Sequence, residues 1–263
     1  MTRHLKPVTI ALVTLVGAAC GCGSSGSPTT TSSSTSTSAP AASDLAPIHG
    51  TYSPSIDPAN FVGAVDNRWF PLKPGTTFHY KGVQEDGKTP QTDDALVTRR
   101  HKTILGVRCT VVQDSVSSRG KLIERTFDWY AQDSHGNVWY MGEDAREVKH
   151  GRLARASDSW EAGVAGAKAG IIMPGDPKPG DEYRQEYYPK YALDQARVLG
   201  RGGPITVPYG SYKSTLETVE TAPKLDPGVA EHKWYVAGLG DVEEHTVSGN
   251  REHIKLVSVT RGG

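Results

Sequence analysis

Carboxylates set among aromatic rings are the groups in this chain with the most chemistry within reach. They gather in "FDWYAQDSHGNVWYMGE", residues 127–143, where two Trp-Tyr pairs flank a polar turn beside Asp128, Asp133 and Glu143. Such a stretch suits either acid–base work by paired carboxyls or an apolar site walled by rings. Local geometry separates the two. Pairing Trp129 with Met141 and Ala131 with Trp139 leaves residues 133–137 as an ordinary hairpin loop. One face of the hairpin then carries Phe127, Trp129, Ala131, Trp139 and Met141, and the other Asp128, Tyr130, Gln132, Val138 and Tyr140. The aromatic face is expected to line an interior. The carboxylates fall on different faces and ends, so no acid/base pair is expected.

Other chemistry is sparse. The chain has no G-x-S-x-G elbow, no phosphate-binding G-x-x-x-x-G-K-[ST] and no H-E-x-x-H. Its 9 histidines are scattered, and each is read as a surface or packing residue before a metal ligand. "DSHGN" lacks the alternating acidic ligands of a calcium loop. "GRGGP", from Gly200, is followed by no helix and reads as a turn. No metal, cofactor or catalytic residue is therefore expected. A hydrolase using Asp128, Glu143 or Glu161 is the enzymatic alternative.

The first 19 residues read as an export leader, with Arg3 and Lys6 ahead of the apolar run "VTIALVTLVGAA". Those 12 residues are too few for a spanning helix. "VGAAC" resembles the lipobox of bacterial lipoproteins, although Gly17 stands where that motif favours Leu, Val or Ile. The resemblance implies lipidation of Cys20 and anchoring at the extracytoplasmic face of the membrane. A conventional leader and a secreted product is the alternative. Residues 20–54, rich in Ser, Thr, Gly and Pro, read as a tether. Loss of Arg3 and Lys6 lowers the basic count from 29 to 27 against 29 acidic residues. With no basic run, nucleic acid is not an expected partner. Cys109, in an apolar run, reads as a buried free thiol, and a disulfide with Cys22 is the alternative.

Residues 55–263 read as one mainly β domain. "TTFHYKGV", "DALVTRRHKTILG", "VRCTVVQDSV" and "KLIERTFDWYA" alternate polar with β-branched or aromatic residues. They are separated by Asp86-Gly87, Leu105-Gly106, Arg119-Gly120 and His135-Gly136. Only "DPANFVGAV" predicts a short N-terminal helix, begun by Asp57 and Pro58. The pattern then recurs. "LKPGTTFHY" is answered by "PKPGDEYRQ", and "FDWYAQDSHGNV" by "HKWYVAGLGDV". Gly75 matches Gly180, and Trp129 matches Trp234, at the same offset of 105. Two antiparallel β-meanders, about 71–143 and 176–247, are expected to form a barrel-like or sandwich core. A long inter-repeat loop, 144–175, joins them as a plug or a lid.

"DNRWFPLKPGTTFHY", "SWEAGVAGAKAGIIMP", "VPYGSY" and "KWYVAGLGDVEE" resemble a group of uncharacterised exported proteins of actinobacteria, a likeness that runs from Pro58 to Val257. It implies no activity. At the level of fold alone, each half is similar to the half-barrel sheets of periplasmic lipoprotein carriers. The expected function is that of a non-enzymatic module binding an apolar or amphiphilic small molecule. Its ligand contacts would be Trp129, Trp139, Met141, Trp160, Ile171 and Met173. An envelope structural or protein-interaction module with a filled core is the alternative.

Overall fold

Tight turns decide where the first strands stop. At Leu105-Gly106 the φ angles are 49° and 81°, and at Arg119-Gly120 they are 50° and 75°. Two successive positive φ values give a hairpin turn whose twist matches the strands it joins. The structure, a computed structural model, describes residues 40–262. The leader, Cys20 and Cys22 lie outside the described residues.

The first strands are β1 (Thr76–Val83), β2 (Pro90–Ile104), β3 (Val107–Ser118), β4 (Lys121–Gln132) and β5 (Val138–Glu143). After them lie β6 (Arg146–Lys149), β7 (Arg152–Arg155), β8 (Trp160–Glu161) and β9 (Lys168–Met173). The connection 144–175 is thus partly sheet and not a loop throughout, because β8 and β9 take up the free edge of β5. Then come β10 (Glu182–Arg184), β11 (Glu186–Tyr187), β12 (Gln195–Gly202) and the small hairpin β13 (Ile205–Val207) and β14 (Gly210–Tyr212). The last four are β15 (Thr215–Ala222), β16 (Asp226–Val236), β17 (Gly240–Ser248) and β18 (His253–Arg261).

The main sheet runs β10-β12-β15-β16-β17-β18-β1-β2-β3-β4-β5-β9-β11. Its edges meet in one stretch of chain. β10 pairs with β12, and β11 pairs with β9. Gln185, buried between them, donates to Glu220 at 2.8 Å. The result is a nearly closed, barrel-like antiparallel sheet. The offset of 105 also appears in the strand bounds: added to the first residues of β2 and β4, it gives those of β12 and β16. The Lys-Pro-Gly turns match as well. Gly75 (φ 88°) donates to Val97 at 2.7 Å and Gly180 (φ 91°) to Val198 at 2.8 Å.

Helix is scarce, as the sequence leads one to expect. The predicted helix at Asp57 is a single 3-10 turn, Pro58–Asn60, capped by Asp57, which accepts from the Ala59 amide. A short α1 (Ala42–Leu45) precedes it. The folded part therefore begins well before residue 55, and the expected tether is shorter. Tyr52 is 2 % exposed and donates to the Ala169 carbonyl, while the Arg184 amide donates to Ala46 at 2.8 Å. This segment covers the seam of the barrel, satisfying backbone groups that an open edge would leave exposed.

Candidate functional site

Period-two alternation puts half of each strand's side chains inside a barrel. Here the inside is not filled. It encloses a cavity of about 440 Å³, within the range of small-molecule sites. Phe78 and Tyr80 of β1 reach it, with Val112 and Val116 of β3, Tyr130 of β4, Tyr140 of β5 and Tyr235 of β16. Between these apolar groups stand carboxyls. Asp93, Asp114, Glu124 and Asp128 come from β2, β3 and β4, and Glu220, Glu231, Asp241 and Glu244 from β15, β16 and β17. Glu186 and Asp194 line the seam. Among the lining residues the only lysine or arginine is Lys233.

Lys233 shows how the lumen holds a cation. Its Nζ lies 3.3 Å from Glu220, 3.4 Å from Glu244 and 3.7 Å from Glu231. Burial alone would lower its pKa, but the charges of Glu220, Glu244 and Glu231 outweigh burial and hold the ammonium well above its ordinary value. Glu244 is buried too, yet Lys233 and a hydrogen bond with Asp241 keep its pKa below the usual one. Asp241 is raised well above the usual carboxylate range by burial and by Glu244.

The wall formed by β2, β3 and β4 has no such counter-ion among the lining residues. Burial, then the charge of Asp114, raises Asp93 well above the usual carboxylate range. Burial likewise pushes Glu124 up to about 7 and Asp128 up to about 6. Behind them, the Tyr140 hydroxyl lies 2.6 Å from Asp128 and 2.9 Å from Glu143. A phenol has one proton to give. With two carboxyl partners, one of those carboxyls must donate in return. Burial and the Asp128 charge hold Glu143 well above the usual carboxylate range.

That contact corrects the expectation that these carboxylates stand apart. Tyr130 pairs with Tyr140 and Ala131 with Trp139, as the hairpin register predicts, and the loop is 133–137. A bulge after Trp129 then shifts the register, so that Trp129 meets Gly142 and Asp128 meets Glu143. Gly142 makes the bulge feasible. Its φ is 133°, and a Cβ there would sit 2.4 Å from the Trp160 carbonyl oxygen. Glu161 is not part of this group, being paired with Lys102 at 2.6 Å.

The aromatic face is corrected as well. None of Trp129, Trp139, Met141, Trp160, Ile171 and Met173 lines the cavity, although all six are buried. The reason is a second apolar layer on the far side of the sheet. Phe61 packs on Trp139 with ring centroids 6.3 Å apart, and the Lys102 ammonium lies 3.5 Å from the Trp129 ring. Trp160 meets a lining ring, Tyr140, edge-on at 5.3 Å. The sequence does carry a signal for the true lumen: Asp93-Ala95-Val97 and Val112-Asp114-Val116 place acids on one strand face with apolar neighbours.

Other chemical groups have structural employment. Asp133 accepts from the His135 and Asn137 amides, from Asn137 Nδ2 and from Trp139 Nε1, all at 2.9–3.0 Å, which ties the hairpin loop. His79, His232 and His253 do find carboxylates, Asp94, Glu217 and Glu243, at 2.7–2.8 Å on neighbouring strands. Among the described residues no three metal-ligating groups are placed to hold an ion. Cys109 is a free thiol, fully buried, and burial pushes its pKa up to about 12.

No family model matches the chain, and no curated protein matches it. Two solved structures are similar to it. One, from Bacteroides fragilis, is described as an exported protein with a YmcC-like fold; it is 14 % identical, with 73 % of this chain and 99 % of that one covered and a TM-score of 0.42. The other, from Parabacteroides distasonis, is described as a lipoprotein; it is 12 % identical, with 73 % and 97 % covered and a TM-score of 0.37. Both come from genera other than the actinobacteria that the sequence motifs resemble, and neither likeness bears on what the lumen holds.

Proposed function

We propose that this chain is an extracytoplasmic, lipid-anchored binding module whose barrel lumen takes up an organic cation with an apolar body. The observation that supports this reading most is the lining of the cavity. It combines rings and aliphatic groups with carboxyls from both repeats and a single lysine. An apolar body is favoured by the walls, and the cation by the excess of acid. This narrows the apolar or amphiphilic ligand expected from sequence. The enclosed volume favours a binder over a module with a filled core. A carboxylate hydrolase draws support from the Asp128–Tyr140–Glu143 set, but of those three only Asp128 and Tyr140 reach the cavity wall.

Octylamine and octanoate share a chain and differ in charge, so calorimetric titration with each at pH 7.5 tests the charge preference. Octylamine is expected to bind at least about tenfold tighter, the equivalent of one charge-assisted hydrogen bond. Equal binding of octanoate, or no binding of octylamine, rejects the reading. The anchor has its own test. Cys20→Ala is expected to abolish palmitate labelling and release the protein from membranes, whereas Cys22→Ala should do neither. Membrane retention of the Cys20 variant would remove the support for anchoring.

A further inference from the structure

The hairpin of β6 and β7 stands off the main path of the sheet, joined to it through β4 alone. Its turn, His150-Gly151, has φ angles of 52° and 76°, the tight form that fixes the pairing of the two strands. That pairing sets cations against cations. Arg146 lies opposite Arg155 and Lys149 opposite Arg152, while on β4 Arg125 lies opposite Arg146. Like charges directly opposite one another destabilise a strand pair. Nothing in the hairpin's own folding asks for this arrangement.

The surroundings extend the same sign of charge. β6 runs antiparallel to β4, toward the β3–β4 turn, where Arg119 and Lys121 are exposed. Those two, Arg125 and the four hairpin cations face only Asp144, Glu147 and Asp158. Arg146 lies 2.9 Å from Asp144, Lys149 2.7 Å from Glu147 and Arg155 3.6 Å from the same Asp144. Even so paired, the three cationic side chains stay 45 %, 57 % and 60 % exposed, free to reach a surface beyond the protein. The excess stops at the neighbouring β1–β2 turn, which carries Glu85 and Asp86. Counted from Cys20 onward, the chain has 27 basic and 29 acidic side chains. This basic corner is therefore set against an acidic remainder.

We infer that the β6–β7 hairpin and the adjoining β3–β4 turn form a docking surface for an anionic phospholipid bilayer. This rests on the reading of a lipid anchor and adds the face by which the barrel meets the membrane. Lipid phosphates between the paired cations supply the counter-charge that the strands lack, and guanidinium groups bind phosphate oxygens as a two-pronged fork. The tether makes a weak attraction effective. Residues 20–39, as a flexible chain, span about 25 Å, so the hairpin stays within a domain's width of the headgroups at high effective concentration. The plainer account is protection of a free edge, since β7 pairs with β6 alone and charge keeps other strands away. Edge protection is served by charge of either sign. Docking needs positive charge.

The test uses the chain from Cys20 onward, made without its leader and so without acyl groups. It is mixed with vesicles of phosphatidylcholine, alone or with about a third of phosphatidylglycerol, and sedimented. Binding at about 0.05 M salt is expected with the anionic vesicles only, and is expected to be lost at about 0.5 M salt. Each cation near an anionic surface strengthens binding about fivefold. Arg152→Glu changes the charge by two and is expected to weaken vesicle binding about twentyfold. It also sets an acid opposite Lys149, so the melting temperature should hold or rise, and loss of fold is not the cause of the weakening. Equal binding to both kinds of vesicle, binding to neither, or binding unchanged by Arg152→Glu overturns the docking surface. Any of these leaves palmitate labelling at Cys20 to decide the anchor by itself.

Discussion

The ligand-free protein is expected to melt at a lower temperature at pH 7.5 than at pH 5. Most domains gain stability over that interval as paired carboxylates ionise, so the expected sign is unusual. It follows from the lumen. Burial holds Glu124 up to about 7 from 4.5 and Asp128 up to about 6 from 3.8. Asp93, Glu143, Glu186 and Asp241 are displaced in the same direction, burial again being the first cause. Between the unfolded and folded values, the folded chain binds more protons than the unfolded one. Stability is then fully present below the unfolded values and declines as pH rises through the folded ones.

Between pH 5 and 7.5 the displacement of Glu124 and Asp128 removes roughly 4 kcal/mol for the two together, a fall on the order of 10 °C in a domain of this size. Three groups work the other way. Asp86 and Glu244 are lowered, but their effects lie below their ordinary 3.8 and 4.5 and so outside the interval. His245, lowered by burial and then by His253, is partly exposed to solvent and contributes little. Melting curves at half-unit pH steps measure the profile. A melting temperature that is flat or rises from pH 5 to 7.5 would show that the lumen carboxyls are solvated and ordinary. Saturating octylamine is expected to raise the melting temperature most near neutral pH, where the ionised wall gains its counter-charge.

Trp129→Ala is expected to cost about 3–5 kcal/mol and to leave amine affinity unchanged in the protein that still folds. Trp129 is 6 % exposed, sits against the Lys102 ammonium and lies outside the cavity lining. Its removal empties a packed site without touching a ligand. Tyr130 is the counterpart. Its ring faces the lumen between Phe70 at 5.3 Å and Tyr140 at 4.9 Å. Tyr130→Ala enlarges a space already open on one side, so the loss of stability should be smaller and the loss of amine affinity larger. Paired melts and titrations of the two variants decide this. If Tyr130→Ala is the more destabilising and spares affinity, the lumen-facing side of β4 has been assigned the wrong way round.

Much of the architecture was legible because it is local. A strand of alternating character between turns that need positive φ has one reading, and "TTFHYKGV" coincides with β1. The hairpin loop at 133–137 follows from the same alternation. The single turn at Asp57 and the repeat of Gly75 at Gly180 were also visible in the letters, since each depends on residues close in the chain.

What lay beyond reach was which face of the sheet is the inside. Alternation separates two faces without naming either, and hydrophobicity misled because both sides of this sheet are covered. Trp129 and Trp139 pack on the far side with the N-terminal segment, and the mixed face of Asp128, Tyr130 and Tyr140 encloses the cavity. The Asp128–Glu143 contact depended on one bulge, which moves the register by a residue and needs Gly142 to follow the turn. Sequence by itself therefore determined strands, turns and the 105-residue spacing, all set by neighbours along the chain. The tertiary structure alone decided that carboxyls from distant strands share one enclosed space, because only closure of the sheet brings them together and removes the water that would have kept their pKa values ordinary.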